Sequence, residues 1–438
     1  MKKLLSVLLV LAMMLGMAPL AMAEEVIELD MYFPVSVGGG PDALITALCN
    51  EFHEEYPGIK VNPVYAGSYA DTRTKVLAAM NEHNTPAIAL MFSIDLYQLL
   101  STGKLYDYNS FCTTEEDKAW LDSFYPGFME NSRIPDGNGG YLVYGIPWQR
   151  STIIMYYNKD AFREVGLDPE APPTTWEELE EYALKLTKKD EAGNTVRYGV
   201  QIPSDKAGYA YWMLQTFTLT QDGQNLMSAD GKEVYFNHEK TIKGLEFWHH
   251  LSEIGAQAPG TAKWSTTVGD FLEGKVAIMY HTTGNLTNVK NNATFDFGTS
   301  RLAAGTSYGS PTGGGNFYLF KDENISDEET QAAFTFIKWM TGDPERVAQW
   351  SMDTGYVAPR PVAYETEKMK AYAAEFPSAL TARDQLEYAY AEFSVYDQGT
   401  VQDILDTAIE LVMTGQSDAK TALDNAQAEA EMVLFDYQ

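Results

Sequence analysis

The chain is nearly without cysteine: Cys49 and Cys112 are the only two among 438 residues. Two cysteines build no disulfide framework, and they leave open either one bridge after export or two small buried side chains. Basic residues are scarce as well, with 31 Lys and Arg against 61 Asp and Glu, a formal net charge of -30. That balance repels nucleic acid and anionic lipid, which excludes both as partners. It says little about a small ligand, because local groups govern a buried site. After the first two dozen residues no apolar run approaches the roughly 18 residues that span a bilayer, so no membrane insertion is expected. Repeats, low-complexity tracts and disordered linkers are lacking too, so two domains must be interwoven rather than strung together.

Motifs for chemistry are equally sparse. The nucleophile-elbow pattern occurs once, at Gly305-Thr306-Ser307-Tyr308-Gly309. It needs a strand before and a helix after, whereas Leu302-Ala303-Ala304 precedes it and Ser310-Pro311-Thr312-Gly313 follows, which reads as a loop. The six histidines, His53, His83, His238, His249, His250 and His281, include no H-E-x-x-H, so no metal is expected. Gly38-Gly39-Gly40-Pro41 and Gly137-Asn138-Gly139-Gly140 lack the spacing of a phosphate loop or dinucleotide fingerprint, so no cofactor is expected. The acidic cluster Asp322, Glu323, Asp327, Glu328 and Glu329 surrounds a helix start, where the dipole favours carboxylates. Two carboxylates of a glycoside hydrolase could still meet in the fold, but nothing singles out a pair. No catalytic residue is therefore named.

What is present begins with a leader. Met1-Lys2-Lys3, an apolar run from Leu4 to Met17 and Ala21-Met22-Ala23 read as a signal peptide over residues 1–23. No cysteine follows the cleavage point, so the mature chain is expected in the periplasm or at the outer face of the envelope without a lipid anchor. Its patterns alternate between strand and helix. Val26 to Val35, Ile59 to Tyr65 and Ala87 to Phe92 read as strands, separated by helices carrying Leu44, Leu48 and Phe52 and then Asp71 to His83. Tyr141 to Trp148, Thr152 to Asn158 and Tyr198 to Pro203 continue the strands. Thr175 with Glu178 and Ser326 with Glu329 are capping-box pairs, Lys240 to Ile254 is helical, Pro344 opens another helix, and the last hundred residues are almost wholly helical. The fold class is α/β with a parallel start to the sheet.

Aromatic residues stand beside small polar ones at element ends. The stretches are Tyr65 to Tyr69, Trp148-Gln149-Arg150-Ser151, Tyr211-Trp212, Trp264 to Thr267, His281-Thr282-Thr283-Gly284-Asn285 and Gly313 to Tyr318, which includes Gly314 and Asn316. Core packing accounts for any one of these aromatics. As a set at loop edges they suit a sugar, whose C–H faces stack on rings and whose hydroxyl rim takes hydroxyl, amide and backbone partners.

The sequence also resembles a known family. Pro63 to Tyr69, Thr85-Pro86-Ala87-Ile88, Ser151-Thr152 with Met155 to Phe162, Gly166 to Pro169 and Pro172 to Trp176 are similar to the family 1 extracellular solute-binding proteins of ABC importers, closest to their glycerol-3-phosphate-binding branch. Phe271 to Met279 and Thr354 to Pro359 extend the likeness over essentially the whole mature chain. The resemblance implies a two-lobed periplasmic-binding-protein fold of type II. Residues 24–150 would form the main part of the first lobe and 151–320 the second with crossover segments, while 321–438 would be helical and span both. Carried over by position, the ligand residues are Tyr69, Ser151, Thr282 or Thr283, Gly314 and Tyr356, with Trp212 as a cleft tryptophan.

Two positions depart from the branch. Ser93, with Asp95 two residues on, stands where the branch has a cleft glutamate, and Ser394 stands where it has a phosphate-holding arginine. A desolvated phosphate without a positive partner would cost several kcal/mol. A neutral mono- or oligosaccharide is therefore expected, unless Arg150 or Arg360 replaces the arginine for glycerol-3-phosphate or a glycerophosphodiester. Trp148, Trp264 and Asn316 complete the candidate set. The expected mode is binding without chemistry, by a monomer that docks on permease subunits.

Overall fold

The computed structural model describes residues 26–34, 41–206 and 209–438; the leader and the Gly38-Gly39-Gly40 break lie outside the described residues. Strands β1 (Ile27–Phe33), β2 (Ile59–Tyr65) and β3 (Ile88–Phe92) pair in parallel, and Leu29, Met31 and Phe33 alternate inward along β1. Helix α1 (Pro41–Glu55) packs Ile45, Cys49 and Phe52 inward, with the expected Leu44 and Leu48 half-buried beside them. Helix α2 (Tyr69–Asn81) starts two residues before the sequence suggests. Ser68 caps it, and the Asp71 carboxylate returns the bond to the Ser68 backbone. Cys49 and Cys112 are both buried and unbonded.

A short hairpin of β4 (Arg133–Pro135) and β5 (Tyr141–Val143) precedes the longest strand, β6 (Gly145–Asn158). Two strands broken at Gln149 to Ser151 were expected there. Instead one strand of 14 residues runs through, every residue buried. The polar residues find partners inside: the Arg150 guanidinium donates to Asn316 at 3.1 Å and to Thr312 at 3.3 Å, and Thr152 accepts from Gln385 at 3.1 Å. Bonded in this way, buried polar groups do not have to break the strand.

The remaining strands are β7 (Lys188–Lys189), β8 (Thr195–Gln201), β9 (Val276–Thr282), β10 (Phe297–Ser300), β11 (Ser310–Leu319) and β12 (Ala389–Tyr390). All but the hairpin join one sheet in the order β2-β1-β3-β11-β6-β9-β8-β7, with β10 beside β6 and β12 beside β11. β6 links the halves, pairing with β11 through Thr152 and with β9 from Ile153 onward. β11 reaches across to β3. A third crossing segment, Glu392 to Val395, joins them: Ser394 donates to the Ile94 carbonyl at 2.7 Å, and its amide meets the Met227 sulfur.

Helices cover both halves. Helix α3 (Trp176–Leu186) is capped by Thr175, but Glu178 bonds back to Thr174 rather than to Thr175, so the expected capping box is displaced by one residue. Helix α7 (Asp327–Gly342) has its full box from Ser326 and Glu329. The C-terminal region is mostly helical, with α8 (Gln398–Met413) packed on α9 (Ala419–Leu434). The Gly305 to Gly309 stretch is a loop, and no helix among the described residues is long and apolar enough to cross a membrane.

Candidate functional site

A cavity of about 480 Å³ opens between the two halves of the sheet, within the range of small-molecule sites. The β1–β3 half supplies one aromatic wall: Tyr69, first residue of α2, stacks on Phe92 at the end of β3, with centroids 4.4 Å apart and planes 14° apart. The other half supplies the facing wall. Tyr209, in a left-handed conformation, leads into α4 (Ala210–Leu219), which carries Trp212. Trp264 opens α5 (Trp264–Leu272), 4.9 Å from Tyr209 and 6.1 Å from Trp212 between ring centroids. Phe92 meets Tyr209 edge to face at 5.8 Å, so the walls touch across the cleft.

The crossing strands form the floor. Ser151 of β6, Gly314 of β11 and Thr282 at the end of β9 line it, with Tyr356. The glycine run of β11 admits the aromatics: a β-carbon on Gly313 would lie 2.2 Å from Trp212, and one on Gly315 would lie 3.0 Å from the Tyr69 hydroxyl. Gly314 has φ +92°, and a β-carbon there would overlap the Gln149 carbonyl at 1.8 Å.

The polar groups stay neutral. Asn285, just before α6 (Leu286–Asn292), donates its amide to Nδ1 of His281 at 2.9 Å, which leaves the ring proton on Nε2. Burial drives the His281 pKa down to about 3, offset only in part by the Trp264 backbone. Burial also raises the Tyr209 hydroxyl to about 12 and pushes those of Tyr69 and Tyr356 up as well. Among the described residues no Asp, Glu, Lys or Arg lines the cavity.

Seven sequence candidates meet at this cavity: Tyr69, Ser151, Trp212, Trp264, Thr282, Gly314 and Tyr356. Six lie elsewhere. Trp148 is fully buried on the opposite face of β6, stacked on Trp350 at 5.0 Å. Asn316 is held by Arg150, Asn131 and Ser132, and Thr283 accepts from the Thr152 amide at 3.3 Å. Asp95 pairs with Arg73 at 3.1 Å, yet burial lifts its pKa to about 6, and Ser93 is buried next to it. Arg360, four residues beyond Tyr356, donates to Ser123 and to the carbonyls of Thr341 and Gly342 and does not line the cavity. Arg150 is likewise buried away from the lining, its two terminal nitrogens donating to Asn316 and Thr312 while its Nε has no partner. The candidate set lacks Phe92, Tyr209, His281 and Asn285, which also line the cavity. His281 and Asn285 stood in a stretch already marked by its polar residues; Phe92 was hidden as the last residue of an apolar strand, and Tyr209 stands just outside the marked Tyr211-Trp212 pair.

Comparison with known proteins places this architecture. A family profile described as bacterial extracellular solute-binding protein matches residues 47–377. The chain is similar to the sn-glycerol-3-phosphate-binding periplasmic protein UgpB of Escherichia coli strain K12, 25% identical over 440 residues that cover 97% of this chain and 96% of that one. Its fold is similar to UgpB from Mycobacterium tuberculosis in complex with glycerophosphocholine, with TM-score 0.78, 23% identity, and 93% and 98% of the two chains covered. It is also similar to the cyclic alpha-maltosyl-1,6-maltose binding protein from Arthrobacter globiformis, with TM-score 0.76, 22% identity, and 93% and 99% covered. With a matching profile over most of its length and the two-lobed fold of type II periplasmic binding proteins, the chain belongs to the bacterial extracellular solute-binding protein family.

Proposed function

We propose that the protein is the substrate-binding component of an ABC importer, exported to the periplasm or the outer face of the envelope, and that it captures a neutral mono- or oligosaccharide in the cleft. The observation that carries this reading is the lining: facing aromatic walls, hydroxyl, amide and backbone groups between them, and no charged side chain among the described residues. Aromatic faces take the C–H faces of a pyranose, and the floor groups take its hydroxyls. A phosphate in the same place would meet no cation among the described lining residues, since Arg150 and Arg360 are bonded elsewhere.

In this reading β6, β11 and the Glu392 to Val395 segment are the hinges. Residues 24–150 are the main body of one lobe, 151–320 of the other, and 321–438 span both. The sugar bridges the lobes and shifts their equilibrium by its preference for the closed form. A monomer then presents that form to the permease.

The named relatives favour a second reading, glycerol-3-phosphate or a glycerophosphodiester. Aromatic rings can seat a quaternary ammonium, so glycerophosphocholine is its strongest form. A thermal-shift screen of residues 24–438 against neutral saccharides, glycerol-3-phosphate and glycerophosphocholine separates them. A ligand at 100 times its dissociation constant adds about 2.7 kcal/mol of stability. Shifts from saccharides alone support the sugar; shifts from the phosphates alone overturn it.

A further inference from the structure

The cavity is not uniform along its length. Trp264, Val268 and Leu272 of α5 are four residues apart, so they form one stripe about 12 Å long on the cavity side of the helix. At its Trp264 end the stripe is surrounded by rings: His281 lies 3.9 Å from Trp264 between centroids, with Tyr209 and Trp212 next to it. Beyond Trp264 the stripe turns aliphatic. Val268 and Leu272 have no flat face for a sugar ring to stack on and no group for a hydroxyl to bond. Hydroxyls held against them would lose their hydration without replacement. A ligand part held against these two side chains is therefore favoured when apolar, while Ser265, Asn285 and Asn288 supply the polar groups of the same lining.

Gly269 lies on the same stretch of helix. It sits inside a helix of nine residues, where glycine is unfavourable relative to alanine. Tight packing would explain such a glycine, yet a β-carbon built on it meets no atom within 4 Å. Gly269 is exposed at the edge of the cavity it lines, so the space beside this turn of the helix is open rather than packed.

We propose that the cavity takes a glycoside: a neutral sugar seated between the aromatic walls and an apolar aglycone extending along α5 over Val268, Gly269 and Leu272. This rests on the saccharide reading of the site and narrows it. The aglycone contributes affinity through buried carbon alone, so affinity rises with chain length until the stripe is covered.

The test is calorimetric titration of the mature chain with methyl, butyl and hexyl α- and β-glycosides of glucose, galactose and mannose. In at least one sugar series the dissociation constant should fall two- to fourfold per added methylene up to butyl, the upper figure being that of a fully buried group. The ratio of butyl to methyl affinity should collapse in Leu272→Ser and in Gly269→Leu. Gly269→Ala should raise the melting temperature and still lower that ratio, an opposition that a purely structural glycine would not produce. If methyl glycosides bind and the chain-length series is flat, the aglycone site is wrong and the saccharide reading stands. If the ratio survives Leu272→Ser and Gly269→Ala, the aglycone lies elsewhere and this proposal is overturned. If no member of any series binds, both readings fall.

Discussion

The indole of Trp212 lies flush on the backbone of Gly313: its Nε1 donates to the neighbouring Thr312 carbonyl at 2.8 Å, and a β-carbon on Gly313 would stand 2.2 Å from its Cζ2. A helix of one half is thereby seated on a crossing strand. Gly313→Ala should push the ring away, destabilise the fold by about 1–3 kcal/mol as overpacked sites do, and weaken ligand binding. Trp212→Phe keeps a ring but loses the bond, and should cost about 0.5–1.5 kcal/mol. Urea denaturation of the two variants measures both figures.

Trp264 is the second ring to test. It contacts Tyr209, Trp212 and His281 while remaining half-buried, so its removal opens the wall without emptying the core. Trp264→Ala should lower saccharide affinity at least tenfold, about 1.4 kcal/mol, with a smaller change in melting temperature. Equal binding by the variant would move the sugar off that wall.

Binding should be flat with pH. His281 is held neutral down to about pH 3 and Tyr209 up to about pH 12, so no lining group among the described residues titrates between pH 5 and 9. A phosphomonoester, whose second pKa is about 6, would bring its own titration into the profile. Calorimetry from pH 5 to 8 distinguishes the two.

Stability, by contrast, should depend on pH. Burial raises Glu392 to about 8, against the pull of Tyr211 and Arg150, and raises Asp406 to about 8, against the bond from the Tyr211 amide. Between pH 6.5 and 8 the folded chain holds protons on these carboxyls that the unfolded chain has released, so stability falls as pH rises. The slope is at most about 1.4 kcal/mol per pH unit for each group. Below about pH 6.5 His281 contributes in the opposite sense, because its folded pKa is depressed and the unfolded chain takes up the proton, but the two carboxyls outweigh it down to about pH 4.5, where their unfolded forms are protonated too. Glu392→Gln and Asp406→Asn should each flatten the upper limb in melts recorded from pH 6.5 to 8.

Much of this fold was legible in the sequence because its elements carry ordinary periodicity and caps. The parallel start, the Ser326 cap and the helical C-terminal region needed only local pattern. β6 was harder to read. Its polar centre looks like a break until Asn316, Thr312 and Gln385, all more than 150 residues away, arrive as partners. The same strand explains which candidates fell outside the cavity. Trp148 sits at the register irregularity opposite Gly315 and Asn316, and Ser151 lies three residues beyond it in the regular ladder. Ser151 reaches the cavity while Trp148 joins the core. Asp95 and Arg360 attract notice as charges, but each is absorbed by partners that only tertiary structure brings near.

The most direct measurement is a calorimetric titration of the mature protein with the saccharide that shifts its melt most, repeated with glycerol-3-phosphate and with Trp264→Ala. The account predicts saturable saccharide binding, at least tenfold weaker in the variant, and none with glycerol-3-phosphate. Saturable glycerol-3-phosphate binding with no saccharide response would contradict it, and would mean that a cation reaches a cleft whose described lining holds none.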